Sequence, residues 1–228
     1  RNYIIMKKIA LFCFVLFTLS SITFYSCKKT KLDDNTKKPE WSAFANLNDG
    51  EIISEVALIG TYHNEALEAA YTNLFSAKTT LEAITDDEER AFAIVDNLIA
   101  SGLEYGENEF GQGELGQSAT DYFSESSNIY FFTNQQAIYT ELNISSTLQN
   151  LTSDLQTMIN DAYANPTLAE SFSDDMDEFL EDHIDDLTNY NEKVGFACGV
   201  SVAKASFEYW SNSSNDNKWI DLYTDLGF

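Results

Sequence analysis

Apolar residues recur along most of the chain at steps of three and four, the spacing of one helix face. Residues 50–76 carry Ile52, Val56, Ile59, His63, Leu67, Ala70 or Tyr71, and Leu74 in that phase. A second stripe, Ala91, Val95, Leu98 and Ile99, follows Thr85-x-x-Glu88, which has the form of a capping box, with four acids at the positive helix end. Gly102 is expected to end that helix, and Gly106, Gly111, Gly113 and Gly116 mark 102–118 as a long loop. Ser146-x-x-Gln149 predicts a further start, with Leu148, Leu151, Leu155, Met158, Ile159 and Ala162 on one side and Asn165-Pro166 as its stop. Thr167-x-x-Glu170 opens the next stripe: Leu168, Phe172, Met176, Phe179, His183, Leu187, Tyr190 and Val194. Small residues from Gly195 to Ala205 then predict a helix that packs closely on its neighbours, and Trp219 to Tyr223 predict a short docked terminal segment. Asn128–Thr133 is locally strand-like, but its helical surroundings favour short helices. No repeat of solenoid length is present. The pattern predicts an all-α protein, a compact bundle of about five to seven helices.

The first residues follow a different logic. From Met6, the expected start, Lys7 and Lys8 precede an apolar run from Ile9 to Phe17, and small residues lead into Ser26-Cys27. This is the layout of a secretory signal peptide, with an uncharged stretch at the short end for a spanning helix. A cysteine after a small residue at that point resembles the lipobox of bacterial lipoproteins, although Phe24 and Tyr25 stand where a leucine and a small residue are commoner. The resemblance implies cleavage before Cys27 and acylation of its thiol and amino group. It implies a lipid anchor in a Gram-negative cell envelope, at the outer membrane, with the periplasmic or surface face left open. The competing reading is an uncleaved anchor helix. The expected organisation is a signal peptide at 1–26, a lipidated, basic, flexible tether at 27–39 and an acidic helical domain at 40–228. The tether would span roughly 20 Å.

Charge sharpens that division. The net formal charge is −24, yet residues 1–26 carry +3, residues 27–38 carry +3 and residues 39–228 carry −30. Such a body has too few cations to bind a nucleic acid backbone. It would favour a basic protein partner, while the tether lysines can attract anionic lipid beside the anchor. With Cys13 in the signal and Cys27 acylated, Cys198 alone remains, which excludes a disulfide within the mature chain. Its apolar surroundings predict a buried small hydrophobe.

Both histidines fall on apolar stripes. Two inward imidazoles, joined by carboxylates, could bind a divalent metal or act as a general base. No Glu-x-x-His precedes either one, and Ala66 stands where the His-x-x-Glu of imelysin-like lipoproteins would need its acid, so structural histidines are the stronger expectation. The acids from Asp174 to Asp186 fan around a helix and lack the glycine of a calcium loop, so they predict a solvated face. Gly111-Gln112-Gly113-Glu114-Leu115-Gly116 has a phosphate-loop shape in an acidic setting that would repel phosphate. Residues 60–67 and 203–210 are faintly similar to strings in uncharacterised secreted helical proteins, a resemblance that implies no activity. The expected function is a non-enzymatic binding module with no cofactor, its contact zone in 102–133 with Tyr130, Phe131 and Phe132. The alternative is a metal-dependent or hydrolytic envelope enzyme using His63 and His183.

Overall fold

The computed structural model describes residues 47–110, 136, 139–140 and 143–228. The signal segment, Cys27, the tether, Gly111, Gly113, Gly116 and the aromatic residues Tyr130, Phe131 and Phe132 lie outside the described residues. Among those described, the chain is all-helical and has no strand. Six helices are traced: α1 (Asp49–Glu82), α2 (Asp87–Phe110), α3 (Ser146–Ala164), α4 (Pro166–His183), α5 (Tyr190–Ser211) and α6 (Ser213–Asp225). A single 3-10 turn, Ile184–Asp186, follows α4. None of these helices is long and apolar enough to cross a membrane.

Short polar side chains set the helix starts. At α1, Asn48 Oδ1 accepts from Glu51 N at 3.1 Å while Glu51 Oε2 accepts from Asn48 N at 2.8 Å, a reciprocal capping box. Asn165, Asn189 and Asn212 cap α4, α5 and α6, and Pro166 occupies the first turn of α4, where its missing N–H costs nothing. The expected caps therefore shift. Asp86, not Thr85, accepts from Glu89 N at 2.9 Å. Ser145 replaces Ser146, and Asn165 replaces Thr167.

Gly102 does not end α2, which runs on to Phe110. One interior glycine costs about 1 kcal/mol relative to alanine, and contacts to α1 on both sides of it offset that. Ser101 is buried, accepts from Asn73 Nδ2 at 3.1 Å and donates to Asn97 O at 2.7 Å. Tyr105, one turn further on, donates its hydroxyl to Glu65.

α1 is the spine, flanked by α5 and α2. Its first half places Ile52 and Val56 in a core with Leu151 and Leu155 of α3, Phe172 and Met176 of α4, and Val200 of α5. Its second half places Leu67, Ala70 and Leu74 in another core with Ile94 of α2, Tyr209 of α5 and Trp219 of α6. α5 serves both, being buried almost continuously from Val194 to Ala203. The small residues expected there allow the approach: a Cβ built on Gly60 of α1 would lie 2.7 Å from the Ser201 carbonyl oxygen and 2.8 Å from Ala205 Cβ. The docked terminal segment is α6, with Trp219, Leu222 and Tyr223 buried.

Candidate functional site

Between the two cores, α1 meets α5 through polar atoms. Gly60 N donates to Ser201 Oγ at 3.1 Å, and Asn64 Nδ2 donates to the Ala205 carbonyl at 3.0 Å. That bond turns Asn64 Oδ1 toward His63 Nδ1, 3.0 Å away, so the proton of the neutral ring resides on Nδ1. His63 is 1% exposed, and burial lowers its pKa to about 4 against the pull of Asn64. It is a neutral core histidine at physiological pH, hydrogen-bonded as the stripe implied.

His183 departs from its expected place. The buried face of α4 is Phe172, Met176 and Leu180, continuing to Ile184 and Leu187, which leaves His183 at the helix end with its side chain 41% exposed. Its Nδ1 lies 2.9 Å from Asp186 Oδ2, and its ring meets Phe179 edge-on. Asn64, beside His63, is tied to Ala205, whereas Phe179 packs on Phe196. Nine residues of α5, about 13 Å at 1.5 Å per residue, separate those two levels. Among the described residues, no group of three or more His, Cys, Asp and Glu is placed to hold a metal ion. The acids of α4 and the following turn serve locally: Asp177 pairs with Lys204, Asp175 accepts from Ser171, and Asp185 is held below the usual carboxylate range by Asp49 and Lys193. Cys198 is buried, and burial pushes its thiol up to about 12, which removes the thiolate a nucleophile requires.

The arrangement with the most evident recognition chemistry lies on the outer side of α1, where α6 crosses it. Lys218 Nζ bonds both oxygens of Glu68, 2.6 Å from Oε2, and stands 4.9 Å from the Tyr71 ring centre and 5.4 Å from that of Tyr209. Tyr209 is fixed by accepting from Trp219 Nε1 at 3.0 Å, and burial first, then Glu68, holds its phenol well above the ordinary value. Trp219 meets Tyr71 edge-on at 5.2 Å. The result is an ammonium group between one carboxylate and two rigid π faces. Beside it lies a shallow, open cleft of about 290 Å³ lined by Thr61, Asn64, Glu65, Glu68, Tyr209 and Asn215.

The remaining cations of the body are engaged as well. Lys78 reaches Asp225 and Glu82, Arg90 bonds Asp87 and the Ile84 carbonyl, Lys193 joins Asp49 to Asp185, and Lys204 joins α5 to Asp177 of α4. Residues 39–228 contain these five cations and no others. Comparison with family models, with curated proteins and with solved structures finds no match to this chain. The polar seam was half visible in the sequence through His63. The Lys218 cage was not, because its two ionic partners lie 150 positions apart.

Proposed function

We propose that this chain is an envelope lipoprotein, anchored through lipid on Cys27, whose helical domain is a non-enzymatic module that binds a basic protein partner. One observation carries the second half of that reading: all five cations of residues 39–228 are committed to carboxylates of the same domain, so the net charge of −30 on those residues has no uncommitted cation to offset it. A surface of that kind steers and selects positively charged partners and repels nucleic acid and anionic lipid. The two histidines stand apart among the described residues: His63 is sealed in the seam, and His183 pairs at the surface with Asp186.

Capture of the protein on an immobilised lysine-rich peptide is expected to weaken about tenfold or more as salt rises from about 0.02 to 0.3 M, because screening shortens the reach of exposed charges. Binding that does not change with salt would remove the electrostatic basis of the proposal. The anchor has its own test. Cys27→Ala is expected to move the protein from the membrane pellet to the soluble fraction, since the acyl chains supply the membrane affinity. Continued sedimentation of that variant with membranes would show that something other than lipid on Cys27 holds it there.

A further inference from the structure

The cage around Lys218 and the cleft beside it share Glu68 and Tyr209. The domain thus already holds a primary ammonium by the means used to recognise cationic side chains, a carboxylate below and aromatic faces around it. The hold is loose. Lys218 and Glu68 side chains are 24% and 49% exposed, so the pair borders solvent, where ion pairs contribute little. The cleft continues past this ammonium to Glu65, one turn before Glu68 on α1, where the Tyr105 hydroxyl fixes the carboxylate in position. Asn64 and Asn215 add amide groups along the same walls.

We infer that this cleft is the seat for a lysine side chain of the basic partner, and that Lys218 is its internal stand-in, occupying the Glu68, Tyr71 and Tyr209 cage until the partner's ammonium displaces it. The inference rests on the proposal of a basic partner and deepens it from a field over the whole surface to one position. Displacement exchanges one ammonium for another, so its cost is low. The incoming lysine gains Glu65 in addition.

The test is titration calorimetry of the full chain, in neutral detergent, with an acetylated and amidated penta-lysine peptide at about 0.05 M salt. Lys218→Met is expected to tighten binding about fivefold, and Glu68→Gln and Glu65→Gln each to weaken it about fivefold. The controls change charge equally elsewhere: Lys204→Met frees Asp177, and Glu178→Gln neutralises an exposed acid of α4. Both should alter affinity by less than about twofold. If Lys218→Met matches Lys204→Met, and Glu68→Gln and Glu65→Gln match Glu178→Gln, while salt-sensitive binding persists, the cleft is not the seat and the acidic-module reading stands. If the peptide binds neither the parent chain nor Lys218→Met, both readings fall. Circular dichroism of each variant confirms that the comparison is between folded proteins.

Discussion

Gly60→Ala is expected to cost the domain about 2 kcal/mol of stability, whereas Gly102→Ala is expected to add up to about 1 kcal/mol. The same methyl group is added to a helix interior in both cases, and in isolation each change would favour the helix by reducing the freedom of the unfolded chain. Surroundings decide the sign. At Gly102 nothing lies within 4 Å of the added carbon, so the propensity gain is kept. At Gly60 the carbon would sit 2.7 Å from the Ser201 carbonyl oxygen and 2.8 Å from Ala205 Cβ. The first of these is helix backbone, which cannot rotate aside, so α5 must move away from α1 as a body. Such overpacking typically costs about 1–3 kcal/mol. It also stretches the Gly60 to Ser201 and Asn64 to Ala205 hydrogen bonds, which hold the same stretch of α1. Urea titration followed by helical circular dichroism measures both variants against the parent. A Gly60→Ala protein as stable as the parent would mean that α1 and α5 do not approach so closely.

Helices were legible in the sequence to the extent that burial repeats at 3.6 residues. Ile52, Val56, His63, Leu67 and Leu74 of α1, and Leu148, Leu151, Leu155, Ile159 and Ala162 of α3, are buried as their spacing implied. Boundaries were less legible because several capping residues stand side by side. Thr85 and Asp86, Ser145 and Ser146, and Asn165 and Thr167 all satisfy the chemistry of a cap, and only the fold selects between them. The stripe through Phe172, Met176 and Phe179 departed from the structure at His183. From Met176 the fully buried line runs to Leu180 and Ile184, while Phe179 is partly buried and the helix ends at His183. Gly102 misled because a glycine is a stop only where nothing beyond it pays for continuing, and Ser101 and Tyr105 bind α1 on either side.

The candidate site was legible only as a bias. Counting charges by segment reveals an anionic body, but not that each of its five cations is spent on a neighbour. Four of the five join α1 to α6, α1 to α5 or α4 to α5, across separations that no local pattern encodes, whereas Arg90 pairs within α2 with Asp87, three positions away. Their structural consequence is that most of the scarce positive charge lies between helices, while the net charge of residues 39–228 stays strongly negative.

Stability is expected to fall by about 2 kcal/mol more in the parent than in His63→Gln when pH is lowered from 7.5 to 5. The sign follows from which state binds the proton. Burial lowers the folded pKa of His63 to about 4, while the unfolded chain exposes an imidazole of ordinary value, 6.5. Between these values the unfolded state takes up a proton that the folded state refuses. The stability contributed by the neutral ring is therefore whole above 6.5, declines as pH falls and is lost, about 3 kcal/mol in all, by about 4. The structure supplies the cause: Asn64 is pinned to Ala205, so its oxygen can accept from Nδ1, yet the ring lies in the seam at 1% exposure, where a second proton would be a desolvated charge. A body at −30 also gains, through weaker self-repulsion and weaker like-charge contacts, from losing charge. Those contributions are common to both proteins and cancel in the difference. Urea denaturation of parent and His63→Gln at pH 7.5, 6 and 5 isolates the one group. Parallel curves would mean that His63 charges in the folded domain, which would require the α1 to α5 seam to open to water.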